Sequence, residues 1–469
     1  MGEQILVVGG GPGGYVAAIR AAQLGGEVTL VERKHLGGTC LNVGCIPTKC
    51  LLHSAELLSE MRERGPALGV LADGLRVDFP QVVANKNAVS KKLTTGIAGL
   101  LKANGVAKID GEAVFTAPKT LRVTAPDGSV ETMTADKIIL AAGSVNAVPP
   151  IPGLRENPNC IDSTKALSLE TLPETMVVIG AGVIGLELAC AFAAFGTKIT
   201  VVEAQDHILP MLDGDLSAAG LKHLKKMGVK VLLETPVQAV EASPEGARVV
   251  CRSKAGETVA FEAQKVLVAV GRKADTDLLD LDAGGLAHDR GRILVNARME
   301  TSLPGVYAVG DCVKGYSQLA HTASAMGETA AENALGGEAR YDETTCPTCV
   351  YIEPEAASVG LTEARCKADG MEYCVGRFPM AANGKALILN GGEGLVKIIA
   401  DKNDHQVLGV HIIGPRATDL IAEGALALQM KSTLEDLIST IHAHPTVTEA
   451  VREAALGADR RAIHMPNRP

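Results

Sequence analysis

Residues 5 to 14 read Ile5-Leu-Val-Val-Gly9-Gly-Gly11-Pro-Gly13-Gly14, an apolar run that passes directly into a G-x-G-x-x-G turn. A helix-like pattern from Tyr15 to Leu24 follows, and a second apolar strand, Val28 to Val31, ends on Glu32. Strand, glycine turn, helix, and a strand ending in an acid form the physical kit for holding a dinucleotide. Gly9 permits the tight turn, Gly11 lets the backbone approach a pyrophosphate, and Gly14 allows the helix to pack closely on the strand. The helix N-terminus offers N–H groups and a positive dipole end to the phosphates, and Glu32 can accept hydrogen bonds from a ribose.

A single glycine-rich turn is weak evidence, but this one recurs. Val177-Val-Ile-Gly180-Ala-Gly182-Val183-Ile184-Gly185 enters another helix pattern, and the strand Lys198 to Val202 ends on Glu203. In both copies the first glycine and the acid are 23 positions apart, a repetition that a chance loop does not produce. Neither acid is replaced by the Arg or Lys expected where a 2′-phosphate must be held. Two non-phosphorylated dinucleotides are therefore expected, and spacing does not say which unit takes which.

Outside these units the composition sets bounds. At 469 residues the chain is too long for one core, so about three domains are expected. Hydrophobic residues at 46% and charged residues at 21% are ordinary for a globular protein. A net charge of −9 with no long basic run argues against a nucleic-acid partner. No signal peptide is expected from the opening residues, and no uninterrupted apolar stretch is long enough for a membrane span. The expected location is cytoplasmic. Eleven cysteines, scattered from Cys40 to Cys374, do not form the dense pattern of a small secreted scaffold.

One pair stands apart, in Gly37-Gly38-Thr39-Cys40-Leu-Asn-Val-Gly-Cys45-Ile-Pro-Thr-Lys49. Its spacing matches neither C-x-x-C nor, without a further Cys or His nearby, a zinc site, and no metal is expected. Across an irregular helical turn two such cysteines could form a disulfide. The pair directly follows a dinucleotide unit, which gives an electron donor a nearby acceptor. Near the C-terminus, His442-Ala-His444-Pro-Thr-Val-Thr-Glu449 sets two histidines close to a carboxylate. Thiol exchange needs a base because only the thiolate attacks, and a carboxylate-oriented histidine can take that proton.

Gly-Gly-Thr-Cys-Leu-Asn-Val-Gly-Cys-Ile-Pro-Thr-Lys resembles the redox motif of the pyridine nucleotide-disulfide oxidoreductases, and its Leu-Asn-Val and Ile-Pro-Thr choices resemble the dihydrolipoamide-oxidising branch. The resemblance spans essentially the whole chain. It includes Pro12 to Gly25, Asp162 to Ser168, Gly182 to Glu187, Gly305 to Asp311, His442 to Thr446 and the tail Arg461 to His464. It implies an α/β fold of two Rossmann-like dinucleotide-binding domains plus a C-terminal α+β dimerisation domain. On this reading residues 1–148 are the first segment of an FAD-binding domain with the redox disulfide, and 149–271 an NAD-binding domain. Residues 272–342 return to the FAD and central part, and 343–469 form the dimer interface domain.

The same resemblance implies that the first unit takes FAD and the second NAD. Cys45 is expected against the flavin as the charge-transfer thiolate, with Cys40 exchanging with the substrate. Lys49 is expected near flavin N5 and paired with Glu187. His444 is the implied base and Glu449 its orienting partner, offered across a homodimer interface to the other subunit's Cys40, with His442 the weaker candidate. FAD contacts are implied for Gly9, Gly11, Pro12, Gly13, Gly14, Glu32 and Arg33, and for Gly38, Thr39, Lys49 and Gly111. Further along they are implied for Ala142, Gly143 and Ser144, where Ala141-Ala-Gly-Ser departs slightly from the commoner Ala-Thr-Gly-Ser. An FAD contact is implied for Gly310 too, and Asp311 is expected to hold the ribityl chain, with Gln318, Leu319, Ala320 and His321 along the isoalloxazine edge. NAD contacts are implied for Gly180, Gly182, Val183, Ile184, Gly185, Glu187, Glu203, Val237 and Gly271.

The implied activity is oxidation of protein-bound dihydrolipoamide by NAD through the Cys40–Cys45 disulfide and FAD. Implied partners are the lipoyl domains of a lipoylated acyltransferase in a 2-oxo acid dehydrogenase complex, or of the H-protein of the glycine cleavage system. The rival within the family is a glutathione- or mercuric-type reductase. The first would favour a basic residue near Glu203, and the second a cysteine pair in the tail, where none follows Cys374. A catalytically silent nucleotide-binding scaffold would have no use for Cys40, Cys45, His444 and Glu449 together. Cys346-Pro-Thr-Cys349 has redox spacing but is expected to be structural, since the family carries an ordinary apolar strand there.

Overall fold

The computed structural model describes residues 2–467. The chain divides into two compact units. The first is built from residues 1–51, 79–147 and 271–343, and the second from 52–78, 148–270 and 344–469.

In the first unit a five-stranded parallel sheet runs in the order 306–308, 137–140, 4–8, 27–32, 107–110. Ile5, Leu6, Val7, Leu30, Ile138, Ile139 and Leu140 are almost completely excluded from solvent. Both faces of the sheet are thus covered, which is why its strands read as continuous apolar runs rather than alternating ones. Each such side chain contributes roughly 1.5–3 kcal/mol on burial. The helix Pro12–Gln23 packs on the helix Ala320–Ala334, and Arg20 fixes the pair by an ion pair to Glu332 at 2.7 Å. A three-stranded antiparallel sheet (112–117, 120–124, 130–134) and a two-stranded ribbon (144–146 with 272–274) complete the unit.

The second unit repeats the plan. Its parallel sheet runs 230–232, 198–202, 175–179, 265–268, 160–161, so that in each unit the strand before the glycine turn is central. The helix Val183–Phe195 is apolar but for Glu187 and largely buried. A separate five-stranded antiparallel sheet joins 348–350, 356–360, 407–413, 395–401 and 373–379, covered by the helices Ala417–Gln429 and Glu449–Ala458. This is the mixed α/β architecture expected, with an α+β C-terminal part. The strand Leu395–Asp401 begins directly after Gly394. Gly394 has φ +124°, and a Cβ there would lie 2.0 Å from the Ile413 carbonyl oxygen, so the chain turns before it pairs.

Candidate active site

The two glycine turns are close copies in space. Gly9 has φ +102° and Gly180 φ +103°, and a Cβ would approach the Ala141 carbonyl oxygen to 2.3 Å in the first and the Ala269 carbonyl oxygen to 2.6 Å in the second. Gly14 and Gly185 pack so tightly that a Cβ would lie 1.8 Å from Gly9 O and 2.3 Å from Gly180 O. Around Gly182 there is open space, and the nearest atom to a Cβ at Gly11 would be Gly38 Cα at 3.8 Å. Gly11 and Gly182 are the N-caps of their helices, and neither helix has a side-chain cap. The first-turn N–H groups of Gly13, Gly14, Ile184 and Gly185 therefore keep the arrangement that suits a pyrophosphate. The first helix begins at Pro12 rather than Tyr15, because a proline at the first helical position gives up an N–H that has no partner there anyway.

The strand-end acids have a role beyond the expected ribose contact. Glu32 Oε2 accepts from Gly10 N–H at 2.6 Å and its Oε1 from Lys34 N–H at 2.6 Å. Glu203 does the same with Ala181 N–H at 2.7 Å and Gln205 N–H at 2.9 Å. Each acid pins its own glycine turn, and each carboxylate oxygen keeps a second lone pair for a ribose hydroxyl. Arg33 is engaged by Asp275, and Gly111 N–H donates to the Glu32 carbonyl at 3.0 Å.

The redox segment is bolted to the first turn. Gly37 N–H donates to Gly10 O at 2.8 Å, and Gly38 sits so close to Gly11 that a Cβ would lie 2.8 Å from Gly11 Cα. Asn42, between the two cysteines, donates to the carbonyls of Leu36 (2.9 Å) and Gly38 (2.8 Å). The helix Gly38–Val43 breaks at Gly44, and a new helix, Cys45–Ser59, begins on the second cysteine. In an unbroken helix residues five apart point about 140° away from each other. The break removes that obstacle and brings Cys45 to Cys40. The two sulfurs come within hydrogen-bonding reach of each other. The Cys40 thiol is held protonated far above its ordinary range by its hydrogen bond to Cys45 first and by burial second, with Lys49 pulling the other way. A hydrogen-bonded sulfur pair with a cation beside it suits a pair that opens and closes with two electrons.

The break depends on Gly44, whose Cβ would lie 2.9 Å from the Thr39 carbonyl oxygen. Gly44→Ala should cost about 1–3 kcal/mol through that backbone collision. A thermal melt together with thiol titration of the unfolded and native protein checks this. An unchanged melting temperature would mean that the two helices can join without the break.

Asp311 lies in a short turn, Gly310–Cys312, and accepts a hydrogen bond from Ser144 Oγ. Arg272 was not singled out from the sequence, yet it organises this corner. Its Nε donates to Ser144 Oγ, Nη1 to Asn146 Oδ1 and Nη2 to the Ser144 carbonyl, each at 2.7 Å. Nothing in a Gly-Arg dipeptide announces such a clasp, because its partners are about 130 residues away. Gln318 Nε2 donates to the Asp311 carbonyl at 3.2 Å, Leu319 caps the helix Ala320–Ala334, and His321 lies in its first turn. Gly143 (φ +73°), next to Ala142, accepts from Asp275 N–H at 3.0 Å.

In the second unit Glu187 is buried on the helix Val183–Phe195 and accepts from Tyr351 N–H at 2.9 Å. Val237 opens the strand 237–243, and Gly271, the residue at which the chain re-enters the first unit, has φ +119°. His444 Nδ1 meets Glu449 Oε1 at 3.0 Å, and Glu449 Oε2 accepts from Thr446 N–H at 2.8 Å. Burial pushes the Glu449 carboxyl up, but the Thr446 N–H and His444 outweigh it and leave it below its ordinary value. A carboxylate ionised in this way can hold the imidazole in one orientation and stabilise it once protonated. The His444 side chain is 81% exposed.

Cys349 sits in the strand Thr348–Val350, its Sγ 4.0 Å from the Thr418 carbonyl, and Cys346 precedes that strand. Among the described residues no group of three or more His, Cys, Asp or Glu side chains could hold a metal ion, and no helix is long and apolar enough to cross a membrane.

Comparison with known proteins gives this geometry its family. Residues 3–327 match the pyridine nucleotide-disulphide oxidoreductase model, and residues 346–455 the dimerisation domain of the same family. The chain is 44% identical over 463 residues to dihydrolipoyl dehydrogenase of Geobacillus stearothermophilus, covering 98% of this chain and 97% of that one. It is 42% identical over 468 residues to leghemoglobin reductase of Glycine max, covering 99% and 89%. Among solved structures, LpdA from Mycobacterium tuberculosis superposes with a TM-score of 0.88 at 28% identity, covering 97% of this chain and 99% of that one. With two dinucleotide turns, a cysteine pair bolted to the first, and family models matching residues 3–327 and 346–455, the chain belongs to the pyridine nucleotide-disulphide oxidoreductase family.

Proposed function

We propose that this protein is a dihydrolipoyl dehydrogenase, oxidising lipoyl-domain-bound dihydrolipoamide to lipoamide with NAD, through the Cys40–Cys45 pair. The observation that carries the reading is the pair itself, held sulfur to sulfur and tied by Gly37 and Gly38 to the first glycine turn. Full-length relatives named dihydrolipoyl dehydrogenase support it.

FAD and NAD(H) are the cofactors of the family. We assign FAD to the first turn, with Glu32, Arg33, Ser144 and Asp311, and NAD to the second, with Glu203, Val237 and Gly271. Bound FAD supplies a two-electron acceptor for the dithiol, with NAD as the final hydride acceptor. The chain's own residues do the thiol chemistry. His444, held by Glu449, takes the proton of one substrate thiol. The thiolate attacks Cys40 Sγ, so a substrate–Cys40 mixed disulfide forms while the Cys40–Cys45 bond breaks and Cys45 leaves as thiolate, stabilised by Lys49. His444 passes that proton to solvent and takes the proton of the second substrate thiol, whose thiolate attacks the substrate sulfur of the mixed disulfide. Lipoamide is released with its ring S–S bond closed, and Cys40 departs as thiolate and takes its proton from His444. One dithiol has been oxidised and one disulfide reduced.

The dimerisation domain supports a homodimer. We further propose that His444 serves the Cys40–Cys45 pair of the partner subunit, a role that suits a ring exposed on its own chain. As protein partners we propose the lipoyl domains of a lipoylated acyltransferase or of the H-protein, because a dithiol on a tethered arm must reach Cys40. We propose residues 1–148 and 272–342 as the FAD and central part, 149–271 as the NAD domain, and 343–469 as the interface domain. A cytoplasmic location fits a chain whose remaining cysteines must stay reduced while one pair cycles.

Oxidised holoprotein treated with a small excess of dihydrolipoamide, without NAD, and then alkylated tests this reading. New label is expected at Cys40 ahead of the other cysteines, and adding NAD before the alkylating agent should erase it. Unchanged label at Cys40 would contradict the proposal.

A further inference from the structure

Two histidines share the loop before the helix Glu449–Ala458, and only one has the geometry of a base. The His442 side chain is 5% exposed, with Nε2 2.7 Å from Glu423 Oε1 and Nδ1 3.0 Å from the Thr440 carbonyl. A carbonyl can only accept, so Nδ1 carries a proton, and a carboxylate accepts from Nε2. Both ring nitrogens act as donors, which leaves no lone pair to receive a substrate proton. The other oxygen of Glu423 accepts from Thr448 Oγ1, and Thr448 is the N-cap of the helix whose first residue is Glu449.

We propose that His442 is a positioning residue, held as an imidazolium that clasps Glu423 and through it Thr448, so that both ends of the 440–448 loop are fixed and His444 stays on Glu449. This rests on the reading of His444 as the base. The need for such a clasp is visible in the loop, because residues 440–446 form no helix or strand. Side chains also tie the loop to carbonyls, Thr446 Oγ1 to that of Ala443 at 2.7 Å and Asn383 Nδ2 to that of Thr446 at 3.0 Å, beside the Thr446 N–H on Glu449. Among the described residues the His444 ring is held by Glu449 alone, so the loop must supply the precision that the ring's exposure denies it.

The charges around His442 agree with a protonated ring. Its hydrogen bond to Glu423 raises its pKa, burial lowers it, and Arg452 opposes the charge, with a net upward shift. Its own charge helps hold the nearby Glu449 ionised. The ring is thus charged at and below the ordinary histidine value, and the clasp weakens only as pH rises through the raised value.

The test compares holoenzyme dimers of wild type, His442→Gln, Glu423→Gln, His444→Gln and the double variant His442→Gln with His444→Gln. Two activities are read: NAD reduction by dihydrolipoamide, and NADH oxidation by ferricyanide, which needs no thiol base. His442→Gln and Glu423→Gln should each lower kcat for dihydrolipoamide about tenfold and leave the ferricyanide rate unchanged. The double variant should be no worse than His444→Gln alone, because a positioning residue has nothing left to position. In ¹⁵N-histidine spectra of wild type at about pH 7, His442 should show both ring nitrogens protonated, a readout that holds even if a variant fails to fold. Multiplying losses in the double variant, equal loss of ferricyanide activity, no loss at all, or a neutral His442 would each overturn the proposal. A wild-type enzyme inactive with dihydrolipoamide would instead sink the functional reading and leave the spectroscopic test of His442 standing.

Discussion

Replacing His444 with Gln lowers dihydrolipoamide-dependent NAD reduction by about 10²–10⁴-fold, the usual worth of a positioned general base. Gln keeps the size and a hydrogen-bonding end but cannot take a proton from a thiol whose ordinary pKa lies above neutrality. Oxidation of NADH by ferricyanide should continue at nearly the parent rate. That split separates loss of the base from loss of the fold, since Glu449 is also tied to Thr446 N–H and the loop does not rest on His444 alone. If both rates fell together, His444 would be a structural residue. If neither fell, thiol deprotonation would have another source.

The second large effect is a recovery. Cys45→Ser and His444→Gln homodimers should each be nearly inactive with dihydrolipoamide. Unfolded and refolded together, they form mixed dimers in which one site joins both lesions and the other joins the intact Cys45 of one chain to the intact His444 of its partner. Equal random mixing makes about half the dimers mixed, each with one good site of two, so activity should return to roughly a quarter of wild type. A site built within one chain would carry a lesion every time, and nothing would return. Mixed dimers, confirmed by tagging, no more active than the parents' average would contradict the shared site.

Much of this molecule can be read along the chain because its determinants are local. The strands Glu27–Glu32 and Lys198–Val202 stand where their apolar runs put them, and the repeated glycine turns adopt matching backbone angles because the same residues make the same turn twice. What the sequence hides is contact at a distance. Lys397 lies in an apolar strand and reads as an error there. It is buried with Nζ 2.7 Å from Asp213, 2.9 Å from Asp215 and 2.8 Å from Glu363, partners far from it in sequence. A charge can be buried only when so compensated, and no local pattern announces the compensation. Arg272 and the His442–Glu423 pair are hidden for the same reason. The cysteine pair falls between the two cases. Its residues are adjacent enough to notice, but that Gly44 must break the helix is decided by the Thr39 carbonyl it would otherwise strike.

The most direct test is a paired assay on the purified holoprotein, giving dihydrolipoamide with NAD in one cuvette and oxidised glutathione with NADPH in the other. Glu203, an acid where a 2′-phosphate would need a base, and the Cys40–Cys45 pair opposite a dithiol substrate predict rapid NADH formation in the first and little NADPH consumption in the second. Brisk glutathione reduction with NADPH, with no NADH formed from dihydrolipoamide, would contradict the account.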